Sequence, residues 1–331
     1  MPQKTNDIDW LAAAARLGLR GRPSSSPNPS VGAIIVKDGR VIGRGWTQDG
    51  GRPHGEAQAL FAAGEQARGA TLYCTLEPCA HKSDRGPSCS SLIADSGIDR
   101  LVYAVDDPDP RTNGSGASGL RERGVETNRI DCAEAAQGLA GYLTRQSLGR
   151  PHVTLKLAMS LDGKIALPSG ESQWITSEQS RAHVHSRRAM ADAILVGGRT
   201  WRADKPRLDV RLPGLEDRSP KRVVLTRGVP IDDVKIINTP DQISRLENVL
   251  YLYVEGGAGA AASFLKVNLV DRLEIYRAPI VIGDGLPALT DFGLSSLAEA
   301  HGQWLLVEKR KFGPDVFEAF TRKPDTEKDT D

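Results

Sequence analysis

The chain has 331 residues, of which 43 are Lys or Arg and 42 are Asp or Glu, for a net charge of +1. Near-neutrality excludes a chain-wide field that would draw the protein to nucleic acid or an anionic membrane, and the length allows two domains of about 100–200 residues. No stretch approaches the roughly 20 apolar residues of a membrane span, MPQKTNDIDW lacks the apolar run of a secretory signal, and Cys74, Cys79, Cys89 and Cys132 are poor material for a disulfide framework, so a cytoplasmic location and a small, locally recognised substrate are expected.

From the N-terminus, LAAAARLGL (11–19) has helical spacing, VGAIIV (31–36) reads as a strand, EAQALFAAGEQA (56–67) as a helix and ATLYCTL (70–76) as a strand. SLIADSG (91–97) is a helix ending in glycine, RLVYAVDD (100–107) is extended, DPDPRTNGSG is a loop, and CAEAAQGLAGYLTRQSLG (132–149) is a helix. This succession predicts a sheet flanked by helices. LGRP (148–151) marks a boundary, after which HVTLKLAMSLDGKIA (152–166) reads as one alternating strand and SEQSRAHVHSRRAMA as a helix. DAILVGG, RVVLT, VLYLYVEGG and RLEIYRAPIVIG read as further strands. The predicted division is 1–149, 150–320, and a disordered tail over 321–331, whose TRKPDTEKDTD is charged and lacks large apolar groups.

RPHGEAQALF (52–61) sets His54 two residues before Glu56, and TLEPCAHKSDRGPSC (75–89) supplies two thiols, Cys79 after a strand and Cys89 across a polar loop. One imidazole and two thiolates leave a fourth position for water, the arrangement of a catalytic zinc. Zinc lowers the pKa of bound water to about 7, and Glu56 is placed to carry a proton to a leaving amine. Inside a helix, residues two apart diverge by roughly 200°, so both side chains address one metal only from a first turn, which Gly55 and the preceding RPH permit. H-x-E with P-C-x-x-C is the zinc-deaminase signature. Here the second half is stretched to P-C-x9-C, which leaves open whether Cys89 only starts a helix and whether His81 is the third ligand or a substrate contact. Cys74 and Cys132 read as packed thiols, and Asp106, Asp107 and Asp109 as turn formers.

In the second half, AILVGGRT (193–200) and YLYVEGGAGAAASFL (251–265) run from a strand through Gly-Gly into a helix. Such turns bring backbone amides and a positive helix end to a phosphate, and two of them suggest a dinucleotide crossing the strand ends. The G-x-G-x-x-G spacing is only loosely present and no acidic ribose partner follows, so a Rossmann unit is not predicted. Asp162 in S-L-D-G reads as a turn and cap residue.

SPNPSVGAIIV (26–36), HGE (54–56), TLEPCAH (75–81), the cysteine-ending loop and DDPDP (106–110) together resemble the deaminase domain of the bifunctional riboflavin-biosynthesis deaminase/reductase family. That resemblance implies that His54, Cys79 and Cys89 are the metal ligands, that Glu56 is the proton shuttle, and that Asn28 touches the pyrimidine. Gly55 stands where the family carries Ala, and GPSC where it carries TPPC. KLAMSLDGKIA (156–166), GESQWIT (170–176), TWRADKPRLDVR (200–211) and VEGG (254–257) resemble the reductase half. By that match NADPH lies along Ala158, Trp174, Thr200, Asp204, Gly256 and Gly257, while Ser172, Arg188, Leu208, Arg211 and Glu255 hold the substrate. Arg188 and Arg211 are planar forks suited to a sugar phosphate, hydride transfer requires the nicotinamide pressed against C1′ with water excluded, and Arg199 and Arg202 hint at the cofactor's 2′-phosphate.

The resemblance therefore implies an α/β protein: a cytidine-deaminase-like α/β/α sandwich followed by a dihydrofolate-reductase-like α/β domain, with zinc and NADPH as cofactors. The expected reactions are hydrolytic deamination of 2,5-diamino-6-(5-phosphoribosylamino)pyrimidin-4(3H)-one, then reduction of the ribosyl group of 5-amino-6-(5-phosphoribosylamino)uracil to ribityl. No nucleic-acid or membrane partner is expected, and the family forms homo-oligomers, dimers or tetramers. Three alternatives stand beside this reading. The first is an active deaminase with an impaired reductase, because only about 25 residues separate RVVLT from VLYLYVEGG, fewer than the family usually carries. The second is a nucleoside or tRNA deaminase with an unrelated C-terminal module, and the third is a protein in which zinc merely holds a loop.

Overall fold

The computed structural model describes residues 6–81, 85–228 and 231–323. The chain divides into two compact units, Met1–Gly149 and Arg150–Asp331.

The first unit runs α1 (Asp7–Gly18), β1 (Gly32–Lys37), β2 (Arg40–Trp46), α2 (Gly55–Ala63), β3 (Thr71–Leu76), α3 (Cys89–Ser96), β4 (Arg100–Val105), α4 (Ser115–Glu122), β5 (Glu126–Arg129) and α5 (Ala133–Leu148). Its strands form one sheet in the order β2-β1-β3-β4-β5, with β1 antiparallel to both neighbours and β3, β4 and β5 parallel. Side chains alternate across a strand, so Ala33 and Ile35 of β1 pack with Leu72, Leu101, Ala59, Ile93 and Leu120. Ile34 and Val36 face the other way, toward Leu11, Ala14, Ala15 and Ala135. Three helices (α2, α3, α4) thus cover one face and two (α1, α5) the other, the expected α/β/α sandwich. Burial on both faces is why VGAIIV reads as an unbroken apolar run.

Sequence patterning misses β2. RVIGRGW is an edge strand with polar outward positions, and it is joined to β1 by Asp38 and Gly39, both at positive φ (51° and 72°), the geometry of a two-residue hairpin turn. Gly45 lets α2 lie close, since a Cβ there would come within 2.3 Å of Gly55 O. The short helix α4 and strand β5 are missed for a similar reason, because they emerge from a loop-like composition.

The second unit runs β6 (His152–Met159), β7 (Lys164–Ala166), α6 (Glu178–Arg188), β8 (Ala193–Gly197), α7 (Gly198–Asp204), β9 (Lys221–Leu225), β10 (Lys235–Ile237), β11 (Tyr251–Val254), α8 (Ala258–Lys266), β12 (Arg272–Arg277), β13 (Leu286–Pro287), α9 (Leu297–Ala300), β14 (Trp304–Phe312) and β15 (Asp315–Arg322). Eight strands form a sheet ordered β10-β9-β8-β11-β6-β12-β15-β14, parallel from β10 to β12 and closed by the antiparallel β14–β15 hairpin. The single strand expected over 152–166 is broken into β6 and β7 by a turn, in which Asp162 accepts from Ser160 Oγ at 2.6 Å and from Gly283 N at 2.7 Å.

One further expectation is corrected, and one left open between a reduced and a missing element is decided. β15 carries Thr321 and Arg322 in register with Leu305 and Trp304, so the sheet extends past 320 into the expected tail; residues 324–331 lie outside the described residues. Between β9 and β11 the chain does not drop its strand-helix element but shrinks it to three-residue β10 and a six-residue 3-10 helix, Pro240–Arg245. No helix among the described residues is long and apolar enough to cross a membrane.

Candidate active sites

His54 is the cap residue that precedes α2, with extended backbone (φ −69°, ψ 161°), so its side chain is freed from helical geometry while Glu56 sits in the first turn. Cys79 follows the end of β3. Cys89 opens α3 behind Ser88, whose hydroxyl caps the helix by accepting from Ser91 N at 3.2 Å. These three chain points converge: His54 Nδ1 lies 3.6 Å from Cys79 Sγ and 3.3 Å from Cys89 Sγ. All three donor atoms fall within 4.8 Å of one another. One nitrogen and two sulfurs at this spacing fit a zinc ion bonded at about 2.0–2.3 Å. Cys89 both starts a helix and joins the cluster, which resolves the long spacing. His81 is not in the cluster; its Nδ1 is buried with no hydrogen-bond partner among the described residues.

Hydrogen bonding from Cys89, aided by His54, pulls the Cys79 thiol down, while the same contact and burial push Cys89 up. Glu56 is 3% exposed, its Oε2 has no partner among the described residues, and burial pushes its carboxyl above the usual range. A buried acid with one unpartnered oxygen beside three potential ligand atoms has the chemistry to exchange a proton.

The loop after β4 is held by Glu77, which lies in TLEPCAH but had been given no role of its own. Its buried carboxylate accepts from Asp107 N (3.4 Å), Gly114 N (3.0 Å) and Ala117 N (3.0 Å). Asp107 and Asp109, read as turn formers, are nearly buried, and Asp107 also accepts from Tyr142 Oη at 2.7 Å. Asn28 packs against Gly51, three residues ahead of His54: a Cβ on Gly51 would lie 1.9 Å from Asn28 Nδ2. Cys74 and Cys132 are buried free thiols outside the cluster.

The second unit opens a cavity of about 1290 Å³ at the carboxyl ends of its parallel strands. Ala158, Trp174, Thr200, Asp204, Gly256 and Gly257 line it, and so do Ser172, Arg188, Leu208, Arg211 and Glu255. Gly256 and Gly257 precede the nine-residue α8, whose first amides face this space. Arg188 is not a free fork. Its Nε and Nη2 donate to Glu255 at 2.6 and 3.0 Å and its Nη1 donates to Asp209 O at 2.9 Å. Arg211 keeps a half-exposed guanidinium. Trp174 is 62% exposed, with the Arg181 guanidinium 4.4 Å from its ring centroid. Glycine-lined phosphate positions, several cations and an apolar wall fit a nicotinamide dinucleotide beside a sugar phosphate.

Residues 4–105 match the cytidine and deoxycytidylate deaminase zinc-binding region, and residues 151–317 match the RibD C-terminal domain. The chain is 37% identical to the riboflavin biosynthesis protein RibD of Escherichia coli, over 94% of this chain and 98% of that one. The chain belongs to the RibD family. RibD of Aquifex aeolicus is 36% identical over 96% of this chain and 98% of its own length. Among solved structures, Acinetobacter baumannii RibD superposes with a TM-score of 0.84 at 32% identity, covering 96% of this chain and 99% of that one. The Thermotoga maritima diaminohydroxyphosphoribosylaminopyrimidine deaminase/5-amino-6-(5-phosphoribosylamino)uracil reductase also gives 0.84, at 29% identity and the same coverage. The fold is thus that of RibD, a cytidine-deaminase-like domain followed by the dihydrofolate-reductase-like reductase domain.

Within the RibD frame, sequence reasoning passed over two more lining residues. His185 precedes Arg188 by three positions on α6, a spacing that puts both on one helix face, and its Nδ1 accepts from Arg211 N at 3.2 Å. Lys156 lies 3.6 Å from Glu255.

Proposed function

We propose that the chain carries out both RibD reactions, deaminating 2,5-diamino-6-(5-phosphoribosylamino)pyrimidin-4(3H)-one through His54, Cys79, Cys89 and Glu56, and reducing the ribosyl group of 5-amino-6-(5-phosphoribosylamino)uracil in the C-terminal cavity. It is a zinc-dependent deaminase and an NADP-dependent reductase. The observation that carries the first half is the unpartnered buried Glu56 Oε2 next to the three converging ligand atoms.

His54, Cys79 and Cys89 would hold zinc, which when bound makes water nucleophilic near neutral pH. Glu56 takes a proton at Oε2 and returns it to the departing amine, so that water replaces the amino group and ammonia leaves; burial, by raising its pKa, suits it to both directions of transfer. Asn28, packed against Gly51, and His81, two residues after Cys79, are assigned to the pyrimidine.

NADPH supplies the hydride when bound, along Ala158, Trp174, Thr200, Asp204, Gly256 and Gly257. Ser172, Leu208, Arg211 and the Arg188–Glu255 pair hold the substrate, with the half-exposed Arg211 guanidinium turned to its phosphate. Trp174 and the apolar wall keep water from the transfer. The shortened β10 segment leaves the lining complete, which disfavours an impaired reductase.

The full chain, supplied with the diamino substrate and NADPH, is expected to release ammonia first and to consume NADPH only afterwards. Ammonia without NADPH loss, even from the deaminated intermediate, would refute the second half. Four free thiols support a reducing cytoplasm. The exposed Leu305, Leu306 and Val307 on edge strand β14 support a homo-oligomer, which sedimentation velocity tests.

A further inference from the structure

We infer that His185 is a specificity-determining residue of the reductase cavity, its Nε2–H donating, beside Arg211 Nη2, to an oxygen of the substrate's phosphate monoester. The inference rests on the reading of this cavity as the site of ribosyl reduction. A neutral imidazole has one acceptor nitrogen and one N–H. Arg211 faces the ring twice: its main-chain N lies 3.2 Å from His185 Nδ1, and its Nη2 lies 3.3 Å from His185 Nε2. Both Arg211 groups are donors only, so one of the two contacts brings donor against donor. The main-chain N–H is fixed by the backbone, whereas the guanidinium ends a long side chain that is 49% exposed and free to swing. Nδ1 is therefore the acceptor and the ring proton sits on Nε2, where Nε2–H and Nη2–H meet with no acceptor between them. A protonated ring would lose the acceptor for Arg211 N as well, and burial, Arg188 and Arg211 all act against it by lowering the pKa of His185.

The acceptors near the ring are already engaged. The Asp209 carbonyl accepts from Arg188 Nη1 at 2.9 Å. Glu255 is taken by Arg188 and Lys156, and the Asp209 carboxylate by Arg207 and Arg211 Nη1. His185 is 8% exposed and lines the cavity, so its Nε2–H has the cavity's occupant left to meet. A buried donor without an acceptor is costly, and two donors sharing one space define what fills it: an oxygen with several lone pairs and negative charge. A phosphate monoester has that chemistry. Arg188 and Arg211, which flank the ring, are both assigned to the substrate, which makes the substrate's phosphate the acceptor and not one belonging to the cofactor.

The test is steady-state reduction with NADPH by the full chain, unaltered and as His185→Ala and His185→Gln. The substrates are 5-amino-6-(5-phosphoribosylamino)uracil and its counterpart lacking the phosphate. His185→Ala is expected to raise KM for the phosphorylated substrate by about tenfold to a hundredfold, the worth of a charge-assisted hydrogen bond. Its kcat should hold, as for a contact made equally in ground and transition states, and an unchanged KM for NADPH reports a folded second unit. On the counterpart, kcat/KM should be the same for both proteins. His185→Gln should recover most of the loss, because a carboxamide supplies one acceptor and one donor in place of Nδ1 and Nε2–H. Nitrogen-15 NMR of the unaltered protein gives a second readout: inorganic phosphate should shift the His185 Nε2 resonance. A KM that rises equally for both substrates, a glutamine variant no better than alanine, or no rise at all overturns the inference. If His185→Ala does not fold, an Nε2 resonance indifferent to phosphate overturns it. Failure of the unaltered protein to reduce either substrate would instead overturn the reductase reading of the cavity, and the inference with it.

Discussion

Arg188 and Glu255 form a two-point ion pair, Nε to Oε1 at 2.6 Å and Nη2 to Oε2 at 3.0 Å, with side chains only 12% and 9% exposed. Burial alone would raise the carboxyl of Glu255, but Arg188 and Lys156 outweigh it and hold it at about 2, against an ordinary 4.5. A depressed acid contributes stability that is complete above its unfolded pKa and is lost as pH falls through the folded one. The contribution of Glu255 should therefore be intact above about 4.5 and fade toward 2. Removing one partner of a buried pair costs about 3–5 kcal/mol, so Glu255→Gln should lower the melting temperature at neutral pH. Its deficit should narrow in acid; a deficit unchanged from pH 7 to 3 would argue against this account.

Glu56→Gln removes a proton carrier and keeps the shape. Ammonia release should fall by about a hundredfold to ten-thousandfold, with zinc retained and NADPH oxidation on the deaminated intermediate intact. Unchanged ammonia release would return Glu56 to an ordinary buried acid.

Cys89→Ser and Cys79→Ser should each lose stoichiometric zinc, read by elemental mass spectrometry, together with deaminase activity. His81→Ala should keep its zinc, because His81 lies outside the converging group. Zinc loss in His81→Ala alone would reassign the third ligand.

Gly116 approaches Pro78 so closely that a Cβ would sit 1.9 Å from the carbonyl oxygen. Gly116→Ala should cost roughly 1–3 kcal/mol through the forced backbone shift and slow deamination, because Pro78 adjoins Cys79. Melting and turnover indistinguishable from the unaltered protein would refute it.

Much of this is legible in the residues alone, and the reasons differ by element. β1, β3 and β4 are buried on both faces, so their apolar runs announce them, and the turn-plus-helix setting of His54 follows from Gly55 and the proline before it. β2 was hidden because an arginine- and glycine-rich edge strand has no apolar stripe. Cys89 could not be chosen over His81 from the residues alone, since a nine-residue gap carries no geometry. The fork of Arg188 was legible as a fork, but its engagement with Glu255 was not, because the two are 67 positions apart and meet only when α6 packs beside β11.

The carboxylate of Glu77 grips three main-chain N–H groups and no side chains of the loop it secures. At the exposed positions of 106–117 side-chain identity is therefore largely uncoupled from this anchorage, whereas Asp107, which accepts from Tyr142, and the buried Asp109, Thr112 and Gly116 are tied to it. Such a segment can drift in evolution, or be randomised in the laboratory, to accept a different ring substituent while the frame that carries the metal ligands stays put.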